Sequence, residues 1–289
     1  MAKRTKAEFL LVAITLIWGS TFVVVKSALN DASPFSFIAV RFTLAGSLLF
    51  AVLCRGRVDR QAIMPGFVLG LFLFGGYVFQ TSGLQFTTPS KAAFITGFSV
   101  ILVPLIMIFY GFRVRTANLV GAALGLAGIF LLVRPSALEG VNIGDALTLV
   151  GSVSFAMHIV LVGKYTKRHA FQHLVPVQIL VVGLLGLCAL PLATSRMFHW
   201  TPRLAGAIFI TVIFATGVAF SVQNWAQQYT PPAHTALIFA LEPVFAAITS
   251  RIVIGEHLGG KVLGGCLLIL GGMVISEIWG GAAPAPVEG

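Results

Sequence analysis

Charge is what this sequence lacks most. Asp, Glu, Lys and Arg make up 10% of its 289 residues, whereas a soluble domain carries about a quarter. Acidic groups are the scarcer kind, 9 against 19 basic. No polar stretch is long enough to be a soluble domain, and no GxxxxGKS/T loop is present, which excludes an ATP-driven pump built from this chain alone. HExxH and GxSxG are missing too, so the usual signatures of an intramembrane hydrolase are absent. His169 and His173 have the spacing of paired metal ligands, but Ala170 stands where a catalytic Glu would be, beside Lys167 and Arg168. A solvated basic loop is the expectation there. Cysteine is rare: Cys54, Cys188 and Cys266 lie in or at the ends of apolar runs without CxxC spacing, which favours buried packing over a disulfide or metal site. Neither a cofactor nor a metal is expected.

What is present is apolar. Hydrophobic residues reach 57%, with 24 Phe and 31 Gly. A single core cannot absorb that much apolar surface, so lipid must be the solvent for most of it, and small residues then allow close helix packing. The net charge of +10 sits in short clusters between apolar runs rather than along a polar stripe, a topology signal and not a nucleic-acid footprint.

Runs long enough to cross a hydrocarbon core of about 30 Å recur at 7–29, 33–54, 64–84, 88–111, 116–134, 143–163, 171–194, 203–224, 232–254 and 261–279. The expected fold is an all-α polytopic membrane protein of about ten transmembrane helices. The basic segment Met1–Lys6 precedes a run too long for a cleaved signal and without a cleavage site, so a retained first helix is expected. Lys3, Arg4, Lys6, Arg55, Arg57, Arg60, Arg113 and Arg115 fall on one side of the first half, against Lys91 and Arg134 on the other. That bias puts the N-terminus in the cytoplasm. The second half is balanced, and an even helix count puts the C-terminus there as well.

An internal repeat organises the chain. Gly83–Val133 lies over Ala226–Ser276 without a gap at an offset of 143 residues, pairing Gln80 with Gln223, Gln85 with Gln228, Pro89 with Pro232 and Gly121 with Gly264. The first two helices of each half align more weakly at an offset of 137, where Trp18 meets Phe155. Five helices is an odd number, so the second half must enter the membrane from the opposite face. The expected units are residues 1–135 and 136–280, followed by a disordered tail 281–289. Inverted repeats are a plan of secondary transporters, with binding near the midplane; channels use it too.

Three segments carry a family likeness: Trp18-Gly19-Ser20-Thr21-Phe22, Ala92-Ala93-Phe94-Ile95-Thr96-Gly97, and Leu241-Glu242-Pro243-Val244-Phe245-Ala246-Ala247 with Gly255-Glu256. In this order they resemble the EamA branch of the drug/metabolite transporter superfamily. The resemblance implies a ten-helix bundle of the bacterial inner membrane, with lipid and a small solute as its partners, monomeric or homodimeric. It would export amino acids, other metabolites or toxic compounds from a central cavity. Carriers of nucleotide sugars or phosphorylated metabolites are relatives, but they need cationic cavity groups, and only Lys91, Arg41 and His158 could serve here.

Glu242 stands near the middle of the ninth run, where a carboxylate is costly unless paired, protonated or facing water. It is read as a substrate or proton-coupling group, or else as a brace for its helix. Pro243 removes a backbone donor and opens the helix beside it. His234 is two turns earlier on nearly the same face, a second coupling candidate or simply a helix-start residue, as Lys91 is at the equivalent place. Ser99 is the counterpart of Glu242. Gln80 and Gln223, with Tyr77 and Gln227 on their faces, are expected to line the cavity. Trp18, Ser20 and Thr21 form a polar notch, with Gly19 for close approach and Phe22 for an aromatic wall. Thr96, Ser99 and His158 complete the candidate solute contacts. Arg41 is expected to snorkel to the outer interface or pair with Asp31, and Arg251 to snorkel. Gly121, Gly125, Gly264, Gly265, Gly271 and Gly272 suggest close contacts within one monomer.

Overall fold

A computed structural model describes residues 2–54, 58–110, 114–133, 142–192, 198–255 and 261–280. The expectations for Arg55, Arg57, Arg113, Arg134, Glu256 and the tail 281–289 fall outside these residues. The described chain is helical: α1 (Ala2–Ala28), α2 (Pro34–Leu49), α3 (Arg60–Leu84), α4 (Pro89–Thr96), α5 (Ser99–Phe109), α6 (Thr116–Val133), α7 (Ile143–Tyr165), α8 (Phe171–Ala189), α9 (Pro202–Ile210), α10 (Ala219–Ala226), α11 (Pro232–Phe239), α12 (Glu242–Ile254) and α13 (Lys261–Gly280). Phe50–Cys54 and Thr211–Val218 are wound as π-helix. Among the described residues, eight helical segments are long and apolar enough to cross a membrane, and two further helices hold shorter apolar stretches, Thr116–Gly128 and Leu267–Ser276. Large side chains such as Phe109, Ile252 and Phe9 point outward, 90%, 77% and 74% exposed. In water that surface would drive aggregation; against lipid it is the matching solvent.

Local chemistry starts the helices. Ser33, Thr88 and Thr201 each accept a backbone N–H three residues on and are followed by Pro34, Pro89 and Pro202. A hydroxyl N-cap satisfies one orphan donor, and proline at the next position has none to satisfy. α7 opens instead with a reciprocal Asn142–Asp145 capping box.

Two spans are broken at mid-length. α4 and α5 part at Gly97-Phe98, α11 and α12 at Ala240-Leu241, which are repeat counterparts. Pro243 follows the second break. The first has no proline; Val100 stands at that place and donates to Gly97 O at 3.0 Å. Both breaks are therefore tight turns shared by the repeats, and Pro243 is not their common cause.

Glycine sets how closely the rods pack. A Cβ on Gly121 would lie 2.7 Å from Gly272 O, and one on Gly128 would lie 2.5 Å from Gly265 O, so α6 and α13 touch backbone to backbone within the monomer. Gly271 instead faces open space. Cys54 is buried and donates weakly to Gln172 O. Cys188, expected to be buried, is exposed on α8, an apolar surface that lipid tolerates. The side chain of Cys266 lies outside the described residues.

The two ends of the bundle are marked by polar clasps. At the end where α1 finishes, Asp31 binds Arg203 and Thr201, Lys91 pairs with Asp145 at 2.6 Å, and Lys26 donates to the carbonyls of Leu84, Gln85 and Thr87. Where α1 begins, His234 Nε2 lies 3.5 Å from Glu8 Oε1, and Lys164 lies over the Tyr110 ring. α7 thus starts beside the finish of α1.

Candidate functional site

A cavity lies among α1, α2, α3, α7, α10 and the two broken spans. Trp18, Thr21, Tyr77, Gln80, Thr96, Ser99, His158, Gln223 and Glu242 all line it. Most lining residues come as repeat counterparts: Trp18 with Phe155, Thr21 with His158, Phe22 with Ile159, Tyr77 with Phe220, Gln80 with Gln223, Thr96 with Phe239, and Ser99 with Glu242. The breaks explain the last two pairs, since each break turns its flanking residues toward the centre.

Aromatic rings form much of the wall. Trp18 sits 5.3 Å from Phe220 and 5.1 Å edge-on to Phe239, while Tyr77 meets Phe42 at 4.7 Å and Phe155 at 5.3 Å. Such tilted and edge-on pairs are the preferred arrangement of ring quadrupoles. Trp18 Nε1 donates to Ala215 O at 2.9 Å. That carbonyl belongs to the π-helical segment Thr211–Val218. Neither the segment nor its partner was foreseen from sequence; the run at 203–224 reads as ordinary helix.

The polar groups divide into satisfied and available ones. Thr21 Oγ1 donates to Trp18 O of its own helix, and Ser20 shares a bond with Thr249 at 3.1 Å. Gln80 Nε2 donates to Thr96 Oγ1 at 2.9 Å, and His158 Nε2 to Gln178 Oε1 at 2.7 Å. Gln178 continues to Asn224 at 3.2 Å, a fully buried network absent from the sequence reading. Gln223 donates to Gln227, yet its own Oε1 is buried with no hydrogen-bond partner among the described residues. Glu242 is half-buried in the cavity wall, with no hydrogen bond or ion pair among the described residues.

Arg41 corrects an expectation. It neither snorkels nor pairs with Asp31, which binds Arg203 instead. The guanidinium is 3% exposed, donates to Thr216 Oγ1 at 2.9 Å and Tyr77 Oη at 3.4 Å, and lies 4.8 Å over both the Phe42 and Tyr77 rings. Two hydroxyls and two π faces replace hydration without neutralising the charge. Lys91, expected to reach the interface, is held by Asp145 and does not line the cavity. His234 lies outside it as well. The turn at Ala240-Leu241 breaks the helical register with Glu242 and aims His234 at Glu8. Arg251 is exposed at the end of α12, as expected of a snorkelling side chain. No cluster of three His, Cys, Asp or Glu side chains suited to a metal occurs among the described residues.

The model of the EamA-like transporter family matches residues 5–134 and again 142–277. An uncharacterized transporter of Archaeoglobus fulgidus is 36% identical over 277 residues, covering 96% of this chain and 87% of that protein. A protein of Salmonella typhimurium called a probable amino-acid metabolite efflux pump is 25% identical, covering 94% of each. A solved crystal structure shares the fold at a TM-score of 0.78 and 22% identity, over 95% of this chain and 98% of that one. With the family pattern matched in both halves and a cavity at the centre of an apolar helical bundle, this chain belongs to the EamA-like transporter family, and it is a multi-pass membrane transporter.

Proposed function

We propose that the chain is a secondary transporter that exports small organic metabolites such as amino acids, or drug-like compounds, by alternating access around the central cavity. One observation carries this reading: the cavity presents a buried guanidinium, Arg41, and an unpaired carboxylate, Glu242, on a wall otherwise built of uncharged hydroxyl, amide, imidazole, aliphatic and aromatic side chains. A guanidinium binds a carboxylate in fork geometry, and a carboxylate binds an ammonium group. Together they suit a zwitterion, whose side chain would lie against Trp18, Phe155 and Phe220. The Salmonella relative's description points to the same solute class.

Alternating access follows from the architecture we infer: ten transmembrane helices in two inverted halves, residues 1–135 and 136–280, with both termini cytoplasmic in the inner membrane. The start of α7 beside the finish of α1 supports the inversion, as does the shared break register. Among the expected coupling groups, Glu242 has the position to exchange a proton with the cavity, and His234 would act from the end of the bundle. A second reading, a carrier of phosphorylated metabolites, draws on Arg41 alone; Glu242 would repel such a dianion.

The test is counterflow in proteoliposomes. Vesicles loaded with unlabelled amino acid should accumulate the same labelled solute, saturably, and an excess of phosphorylated sugar should not compete. Unsaturable flux would indicate a channel. Competition by phosphorylated solute alone would favour the second reading.

A further inference from the structure

The cavity is lopsided with respect to the repeats. Beyond the paired residues it is lined by Val25, Arg41, Leu73, Thr81 and Leu84, all from the first half. Their counterparts Val162, Gln178, Thr216, Asn224 and Gln227 line none of it and are packed to 1% exposure or less. The extension therefore runs toward the end where α1 finishes.

The same asymmetry appears one layer out. Lys26 and Pro89 border an open space at that end, lined also by Lys91 and Thr87. Their counterparts, Gly163 and Pro232, are pressed together where α1 begins: a Cβ on Gly163 would overlap the Pro232 ring. Gln227 Nε2 bridges the same gap to Ile159 O at 2.9 Å. The polar pairs obey the repeat as well. Asp145 and Lys91 at one end correspond to Glu8 and His234 at the other.

We infer that Val162, Asn224 and Gln227 line a second half of the solute path, shut in this structure, which leads from the cavity to the end where α1 begins. Gly163 against Pro232 and Glu8 against His234 hold it closed. Two buried amides need hydrogen-bond partners wherever they sit; in the closed end Asn224 uses Gln178 and the Phe220 carbonyl, and Gln227 uses Gln223 and the Ile159 carbonyl, whereas in the open one water and the solute take their place. Equivalent positions that are packed at one end and open at the other describe the two discrete arrangements that a two-state element requires. The inference rests on the transporter reading above and adds to it the closed half of the route.

The experiment uses the full chain with Cys54, Cys188 and Cys266 replaced by alanine, carrying Gln227→Cys or Asn224→Cys. Val25→Cys and Thr81→Cys report on the open half. A membrane-impermeant maleimide is applied to right-side-out and to inside-out vesicles. The first-half cysteines should react from one face. The Gln227→Cys and Asn224→Cys variants should react only from the other, roughly fivefold faster when Glu8→Gln is added, as expected if one closing contact biases the two states. Failure of both to react from that face, with or without Glu8→Gln, overturns the inference even if solute exchange persists. Reaction there in vesicles that exchange no solute would uphold the second opening and overturn the carrier reading instead.

Discussion

A Cβ placed on Gly19 would lie 2.6 Å from the carbonyl oxygen of Glu242 and 2.8 Å from the Cβ of Phe245. The first helix thus rests directly on the turn that presents the cavity carboxylate. Backbone cannot yield as a side-chain tip can, so Gly19→Ala must push α1 and α12 apart. Overpacking of this kind costs about 1–3 kcal/mol, and here it also moves Glu242. A lowered melting temperature in detergent and reduced solute exchange are expected. Unchanged values for both would show that the two helices part without cost.

Glu242→Gln keeps the size of the side chain and removes its charge. Exchange should be abolished, or should lose its pH dependence, while the protein remains folded in the membrane. Counterflow measured across a pH series decides this, because a carboxylate that only braces its helix would leave the profile unchanged. Wild-type flux with wild-type pH dependence would remove Glu242 from any coupling role.

Arg41→Lys keeps a positive charge but not the planar fork that spans Thr216 and Tyr77. Charge-assisted hydrogen bonds contribute about 1.5–3 kcal/mol, so the half-saturating concentration of a carboxylate-bearing solute should rise roughly tenfold or more. An amine lacking the carboxylate should be affected far less. Equal losses for both would mean that Arg41 shapes the cavity rather than reading the solute.

Asp31 lies outside the spans, where hydrogen bonds first from Arg203 and then from Thr201 hold its carboxyl down at about 2. A carboxyl depressed in the folded state contributes stability above its unfolded value, near 3.8, and that contribution disappears as pH falls through the folded value. Asp31→Asn should therefore melt below wild type at neutral pH, and the gap should close between about pH 4 and about pH 2. Arg203 is half exposed, so the gap is small. Melting curves across that range check the sign; a gap that widens toward acid would contradict it.

The sequence by itself determined the solvent, the helices and the family. Apolar runs of membrane length can have only lipid around them, and hydroxyl–proline pairs such as Thr88-Pro89 mark helix starts because capping is chemistry between near neighbours. The repeat was legible for the same reason: counterparts keep their spacing even where the residues differ. Nine candidate solute contacts, Trp18 through Glu242, could be named from these signals, and all of them line one cavity. Arg41 was misplaced because its partners, Thr216 and Tyr77, are far away in the chain, and only packing brings them to it. His234 lost its shared face with Glu242 because a turn at Ala240-Leu241 breaks a helical register that spacing takes to be continuous. Likewise the π-helical winding at Thr211–Val218 and the closure of Gly163 on Pro232 have no local signal. They are decided where one helix must accommodate another, and that is a property of the tertiary structure.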